Sequence, residues 1–145
     1  MNEVDEVLIS VAHVNHQLVT RADIASAGIA PWRWRRNEEH GQWSEIMPGV
    51  WHHAAVVRTW ELRIRAGVLW LGRDAAIFGF AAAAWWALDG FDEGPVQYLV
   101  PHRRRSLVPI VELHTTSADW SGSILYHRGV RVTSVTRTIT DLAAL

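Results

Sequence analysis

TRADIASAGIAPWRWRRNEEHGQWSEIMPGVWHH, residues 20–53, is the stretch that decides the fold, because helix signals and then strand signals follow one another in it. The leading threonine can accept a hydrogen bond from an amide of a first helical turn, and glycine commonly follows a last turn, so a short helix is predicted over residues 20–27. Because proline is favoured in the first turn of a helix, a second helix is predicted to run from Pro31 to about His40, before Gly41.

After Gly41 the sequence changes from a helical pattern to one typical of strands. Residues 42–46 and 50–53 are rich in Trp, Ile and Val, a composition typical of strands. Proline and glycine in the connecting residues 47–49 favour a turn, so the two strands are predicted to form a hairpin.

An amphipathic helix is predicted ahead of these elements. Apolar residues recur there at helical spacing, and the inward stripe is expected to contain Val4, Val7, Leu8, Val11, either Val14 or the neighbouring histidine, and Leu18. Three short helices followed by a two-stranded hairpin are the outline of a winged helix-turn-helix, which we assign to residues 1–56.

The remainder of the chain, residues 57–145, combines helices and strands. Helices are predicted over residues 59–71, with Trp60, Ile64, Val68 and Leu71 inward, over residues 77–88, and from Ser134 onward, with Val135, Ile139, Leu142 and Leu145 inward. Strands are predicted over residues 96–100, 108–113, 124–127 and 130–132. The predicted fold class is therefore α+β: a winged helix-turn-helix domain followed by a small α/β domain, which we expect to be incomplete because the chain ends inside its last helix.

The composition excludes several kinds of site. The 145 residues contain no Cys, which removes disulfide scaffolds, thiolate zinc sites and thiol nucleophiles. All 14 cationic side chains are Arg, so no Walker A lysine, Schiff-base lysine or lysine-dependent nuclease centre can exist. The net charge is −1, and residues 1–56 carry four Arg against seven acids, so a DNA-binding face has to be a local cluster of arginines.

No membrane or secretion signal is predicted. The first residues, Met1-Asn2-Glu3, lead into an acidic rather than a basic segment, and the most apolar run, residues 77–88, is too short to span a bilayer. We therefore expect a cytoplasmic protein without a membrane partner.

Four stretches in register resemble one known family. They are Val19 to Gly28, the hairpin from Gly41 to Trp51, Ala81 to Phe91 (AAAAWWALDGF), and Val132 to Ala143 (VTSVTRTITDLA). Together they resemble the actinobacterial branch of the AbiEi-like antitoxins, which is also found as the N-terminal half of proteins with a very-short-patch-repair-like endonuclease domain. The chain departs from that pattern at Glu38, where the family has an apolar residue nearby, and at Arg131, where it has proline.

The resemblance implies a transcriptional regulator without enzymatic activity or cofactor. It would be the antitoxin of a type IV toxin–antitoxin system, bind double-stranded DNA at promoter repeats and repress its own operon. Independently of the resemblance, we expect stronger binding by a homodimer on an inverted repeat, as for other helix-turn-helix proteins. Its protein partner would be a nucleotidyltransferase-like toxin encoded nearby. The alternative is a truncated remnant, or a protein-interaction module, of a longer endonuclease-like protein without catalytic activity.

The predicted helix over residues 31–40 is the candidate recognition helix. Arg33, Arg36, Asn37 and His40 follow an i, i+3, i+4, i+7 spacing and share one face, on which Arg can contact guanine and Asn adenine. Arg21 can contact a phosphate beside the start of its helix. The candidate DNA-binding residues are therefore Arg21, Arg33, Arg35, Arg36, Asn37 and His40. The alternative is a solvated charged helix with pairs such as Arg35–Glu39, and Glu38 and Glu39 oppose tight binding to DNA.

The tryptophans of this region are interpreted as packing residues. Trp34 is expected to anchor the recognition helix in the core, and Trp43 and Trp51 to pack under the hairpin. Farther along, Trp85 and Trp86 are assigned to the core, with a protein interface as the alternative. The hairpin tip lacks an arginine, so it is either a DNA-contacting wing or a plain structural turn.

No metal or catalytic site is predicted. His13 and His16 on a helix, and His52 and His53 on a strand, lack the further ligands that a metal requires. An enzyme would need a polar pocket, for which the surroundings of His114 and His127 are the place to look. The run Arg103-Arg104-Arg105 is either a solvated loop or a contact to phosphate or an acidic partner.

Overall fold

A computed structural model describes residues 3–102, 105–116 and 119–145 of the chain. Helices and sheets occur together, so the predicted α+β class is confirmed. The chain forms two compact units that divide between Trp70 and Leu71. This division lies later than the predicted boundary after residue 56, because almost all of the helix Trp60–Leu71 belongs to the first unit.

The first unit contains four helices and a small sheet. Its elements are α1 (Glu3–Val14), β1 (Val19–Thr20), α2 (Arg21–Ser26), α3 (Pro31–Glu39), β2 (Trp43–Met47), β3 (Val50–His53) and α4 (Trp60–Leu71). The predicted helices and hairpin are confirmed. The sequence did not predict β1, which has two residues and pairs antiparallel with β3, Val19 lying opposite Trp51, in the sheet order β1-β3-β2.

One hydrophobic cluster forms the core of this unit. It joins α1, α2 and α3 to the hairpin through Val4, Leu8, Ala12, Val19, Ile24, Ile29, Trp34, Trp43 and Trp51. The buried stripe of α1 also contains Asp5, whose Oδ1 accepts a hydrogen bond of 3.0 Å from Trp43 Nε1. Val7 and Val14 lie to one side of this stripe and are 44% and 81% exposed, so their predicted burial is wrong.

The second unit contains a five-stranded mixed sheet. Its elements are β4 (Ala76–Ile77), α5 (Gly79–Trp85), β5 (Val96–Leu99), β6 (Val111–His114), a short 3-10 turn (Ser121–Ser123), β7 (Ile124–His127), β8 (Val130–Thr133) and α6 (Val135–Ala144). The strand order is β6-β5-β4-β8-β7, with parallel pairing in β4/β8 and β5/β6 and antiparallel pairing in β4/β5 and β7/β8.

The helix predicted over residues 77–88 is shorter than expected. Its first residue, Ile77, belongs to β4, and α5 starts only at Gly79, whose φ of +64° lies in the left-handed region that glycine tolerates. The helix packs on β5, where the Gln97 side chain accepts from the Ala81 amide and donates to Glu112. The apolar residues of β4 and α5 follow one another in the sequence, and hydrophobicity alone did not show where the buried strand ends and the buried helix begins.

The inward faces predicted for α4 and α6 are only partly correct. In α4 the buried residues are Leu62, Ile64, Ala66 and Gly67, so of the predicted set only Ile64 is buried. In α6 the residue facing the sheet is Thr138, whose hydroxyl lies 2.7 Å from that of Thr133, while Ile139 and Leu145 are exposed. Over the described ranges, every helix is too short or too polar to cross a membrane.

Candidate nucleic-acid interface

A capping box fixes the first residue of α2. The Thr20 hydroxyl accepts from the Asp23 amide at 3.2 Å, and an Asp23 carboxylate oxygen accepts from the Thr20 amide at 2.8 Å. Arg21 is therefore the first helical residue, and its backbone N–H donates to the Gly49 carbonyl at the tip of the hairpin at 3.1 Å. The exposed Arg21 guanidinium lies 5.3 Å from the centre of the Trp51 ring, so the tryptophan holds this cation beside the hairpin turn.

A single buried tryptophan anchors α3. The Trp34 ring lies 5.9 Å from that of Trp43 and 5.3 Å from that of Trp51, and the residue is only 5% exposed. The predictions that these three tryptophans are packing residues are confirmed. With this side of α3 buried, its exposed residues are Pro31, Trp32, Arg33, Arg35, Arg36 and Glu39, followed by His40, while Asn37 and Glu38 are half-buried.

Glu38 is hydrogen-bonded to the hairpin. Its Oε2 accepts a hydrogen bond of 2.9 Å from Trp51 Nε1, which ties α3 to β3. The carboxylate thus serves the packing of the first unit, and it also places a negative charge in the cleft that Arg21 and Arg35 line.

The predicted DNA-binding residues fall into two groups around α3. Arg21 and Arg35 line one cleft of about 260 Å³, whose apolar lining includes Ile24, Ile29 and Trp34. Arg33 lines a separate pocket of about 160 Å³ beside the start of α1, where Glu3 is also found. The structure therefore brings Arg21 and Arg35 together and directs Arg33 to the other flank of the helix.

The hairpin carries a structural arginine that the sequence did not single out. Arg58 donates from Nη2 to the Ser44 hydroxyl at 2.8 Å and to the Glu45 carbonyl at 2.9 Å, and from Nε to His52 Nε2 at 2.9 Å. Because this residue follows the hairpin in a segment without regular structure, no local sequence signal indicated the contact.

His52 is a buried histidine held in its neutral form. Its Nε2 accepts from Arg58, so Nδ1 carries the proton and donates to the His53 carbonyl at 2.8 Å. Burial lowers the pKa of His52 below its ordinary value, and the neighbouring Arg58 cation lowers it further. His52 is thus part of the hairpin rather than a free ligand.

The remaining polar candidates do not form a site in the described part of the chain. Residues 3–102, 105–116 and 119–145 contain no group of three or more His, Asp or Glu that could hold a metal ion. His114 and His127 lie on β6 and β7, the two opposite edges of the sheet, so they do not converge on one pocket. Of the arginine run, Arg103 and Arg104 lie outside the described residues and Arg105 is exposed.

Trp85 and Trp86 pack within the second unit. Trp85 is 1% exposed and donates from Nε1 to the His127 carbonyl at 3.0 Å, which confirms its assignment to the core. Trp86 is half-buried, stacks on the His127 ring at 4.2 Å, and donates to the Thr133 carbonyl at 2.8 Å.

Comparisons with known proteins find similarity to solved structures. No protein-family model matches the chain, and no curated protein matches it. The crystal structure of RV2827C protein from Mycobacterium tuberculosis matches with a TM-score of 0.56 at 16% sequence identity, covering 85% of this chain and 48% of that one. The chain thus spans about half the length of this relative, and the likeness shows a shared fold alone.

Proposed function

We propose that this protein is a DNA-binding transcriptional regulator, and that α1 to α3 with the β2–β3 hairpin form a winged helix-turn-helix. The observation that carries the proposal is the two-sided character of α3: Trp34 is buried, Arg36 is exposed nearly opposite to it, and Arg33 and Arg35 are exposed on the two flanks. A short helix that ends in a glycine turn precedes α3, and the hairpin follows it, as in a winged helix-turn-helix.

The two groups of arginines are suited to different contacts with DNA, one to phosphates and the other to base edges. Arg21 and Arg35 share one cleft and are suited to phosphates, which fix the position of the protein on the duplex. Arg33 and Arg36 occupy the outer part of α3 and are suited to guanine edges in the major groove, with Asn37 and His40 as flanking contacts.

The biological role that we propose is that of an antitoxin. It rests on the resemblance to the AbiEi-like family: the protein would act in the cytoplasm, bind promoter repeats as a homodimer, and repress its operon without catalytic activity. A nucleotidyltransferase-like toxin encoded next to it would be the protein partner.

A mobility-shift titration tests DNA binding directly. The probe is a duplex from the region upstream of the protein's own gene, at about 50 and 200 mM salt, where loss of phosphate contacts weakens binding steeply. We expect a salt-sensitive shift that Arg33→Ala combined with Arg36→Ala abolishes, whereas Arg73→Ala in the second unit leaves it unchanged. A wild-type protein without a shift, or a double variant that binds as the wild type does, would contradict the proposal.

A growth assay tests the antitoxin role separately. The gene adjacent to the one for this protein is expressed from an inducible promoter, with and without the protein. We expect arrest of growth by the neighbour alone and recovery with both, and no arrest by the neighbour would exclude the antitoxin role while leaving DNA binding standing.

A further inference from the structure

Trp32 is an exposed tryptophan on α3, a helix that carries three arginines. It is 64% exposed, whereas Trp34, Trp43 and Trp51 in the same unit are at most 5% exposed. At this exposure the indole forgoes most of the burial that makes tryptophan favourable in a fold. The folded core therefore gives no reason for an indole at residue 32.

The position of Trp32 points outward from the helix. Pro31 is the first residue of α3, so Trp32 lies in its first turn. Trp34, two residues later, is buried, and a spacing of two residues places side chains on nearly opposite sides of a helix. Trp32 thus occupies the N-terminal end of the exposed side, which in a helix-turn-helix faces base edges in the major groove.

The charges around Trp32 favour a polyanion as its partner. Arg33, Arg35 and Arg36 are all exposed on the same nine-residue helix. Of the two acids of α3, Glu38 accepts a hydrogen bond from Trp51, and Glu39 is exposed as the last residue of the helix, seven positions after Trp32. An apolar ring among cations suits a duplex groove, where phosphates flank an apolar thymine methyl group.

We infer that Trp32 determines part of the sequence specificity of this protein by packing its indole against the C5-methyl group of a thymine in the major groove. The inference rests on the proposed DNA-binding function and adds to it. The arginines supply most of the affinity through charge, which is independent of sequence, and Trp32 supplies discrimination at one base pair.

Selection from a random duplex library tests the inference. The full chain is compared with Trp32→Ala and with Val14→Ala, a matched control because Val14 is an apolar residue of the same unit that is 81% exposed. We expect the wild type and Val14→Ala to enrich one motif containing a thymine. Trp32→Ala should bind unselected duplex within about twofold of the wild type, but lose about tenfold or more of its preference for that thymine.

Replacing the selected thymine by uracil isolates the methyl group. We expect uracil to weaken wild-type binding about fivefold or more and to leave Trp32→Ala unaffected, since the substitution removes the contact that Trp32 makes. Thermal melting of each variant verifies the fold, which an exposed side chain should not alter.

Three outcomes would overturn the inference. Trp32→Ala could enrich the same motif with the same thymine preference, or uracil could bind the wild type as well as thymine does. Sedimentation without DNA could show that Trp32→Ala changes self-association instead, which would assign the indole to a protein interface. Failure of the wild type to enrich any motif would refute DNA binding itself, and is thus a separate result.

Discussion

Neighbouring residues in this protein meet opposite environments. Trp32 and Trp34 are two positions apart on α3, yet one is 64% exposed and the other 5%. The difference follows from helical phase, because only Trp34 faces Trp43 and Trp51. At the residue scale, we therefore expect a substitution at Trp34 to change the stability of the fold and one at Trp32 to change only the properties of the surface.

Trp34→Ala should destabilise the first unit strongly. Removing a buried tryptophan leaves a cavity between two rings, and we expect the free energy of unfolding to fall by about 3–5 kcal/mol. Trp32→Ala should change it by less than about 0.5 kcal/mol, since its side chain is exposed. Urea denaturation measures both, and equal losses would contradict the assignment of Trp34 as the anchor.

His52 should make stability depend on pH. Burial lowers the pKa of its imidazole in the folded chain below the ordinary value of 6.5, so the unfolded chain binds more protons between these two values. The contribution is fully present above about pH 6.5, and is lost as the pH falls through the lowered pKa of the folded state.

Thermal melting between about pH 7.5 and 5 measures this effect. We expect His52→Gln to show a flatter decline in melting temperature than the wild type, because the group that must be protonated on unfolding is gone. Identical slopes for wild type and His52→Gln would contradict the role of His52.

At the scale of secondary-structure elements, the first residue of a helix fixes where the side chains after it lie. The capping box at Thr20 fixes where α2 begins, and Arg21 is thereby held next to the hairpin tip. Gly79 does the same for α5: its φ of +64° turns the chain from β4 directly into the helix. The α2 helix begins where the Thr20 hydroxyl accepts a hydrogen bond from a backbone amide, and α5 begins where Gly79 permits a positive φ.

Gly79→Ala should destabilise the second unit by more than about 1 kcal/mol, because alanine resists a positive φ. An added Cβ would also lie 2.9 Å from the Gln97 side-chain oxygen and 3.3 Å from Leu145 Cδ1. Gly90→Ala is the control: its φ is +86°, but no atom lies within 4 Å of the added carbon. We expect chemical denaturation to give the larger loss for Gly79, and equal losses would show that crowding at Gln97 contributes nothing.

At the scale of the whole molecule, charge is nearly balanced. The first unit carries seven Arg against eight acids and the second seven against seven, which accounts for the net charge of −1. Because the molecule lacks a strong overall field, binding to a polyanion has to depend on where individual arginines are placed. The proposed interface meets this condition through α2 and α3.

The steepness of the salt dependence of DNA binding should therefore reflect the number of arginines that contact phosphates locally. With phosphate contacts from the α2 and α3 arginines, we expect a plot of log K against log salt with a slope of about −4 or shallower. Arg21→Gln and Arg35→Gln should each make the slope shallower by about 1, and Arg73→Gln should leave it unchanged. Equal effects from all three substitutions would indicate a diffuse field instead.

The outline of the fold was readable from local signals. Thr20 and Pro31 marked the starts of α2 and α3 correctly, and Gly41 marked the end of α3. The change from helical to strand-like residue patterns after Gly41 located the β2–β3 hairpin. Of the candidate site, exposure of Arg33, Arg35 and Arg36 agrees with the helical pattern, while their DNA contacts remain predictions. The two-residue strand β1 escaped notice because it exists only through pairing with β3.

The sequence by itself determined where α2, α3 and the hairpin begin and end, since caps, prolines and glycines act within a few residues. The tertiary structure alone decided which side of each element is buried: Val7, Val14 and Ile139 are exposed, while Asp5 is buried against Trp43 and Glu38 is hydrogen-bonded to Trp51. The physical reason is that burial and hydrogen-bond partners depend on residues distant in the chain, and no local pattern specifies those partners.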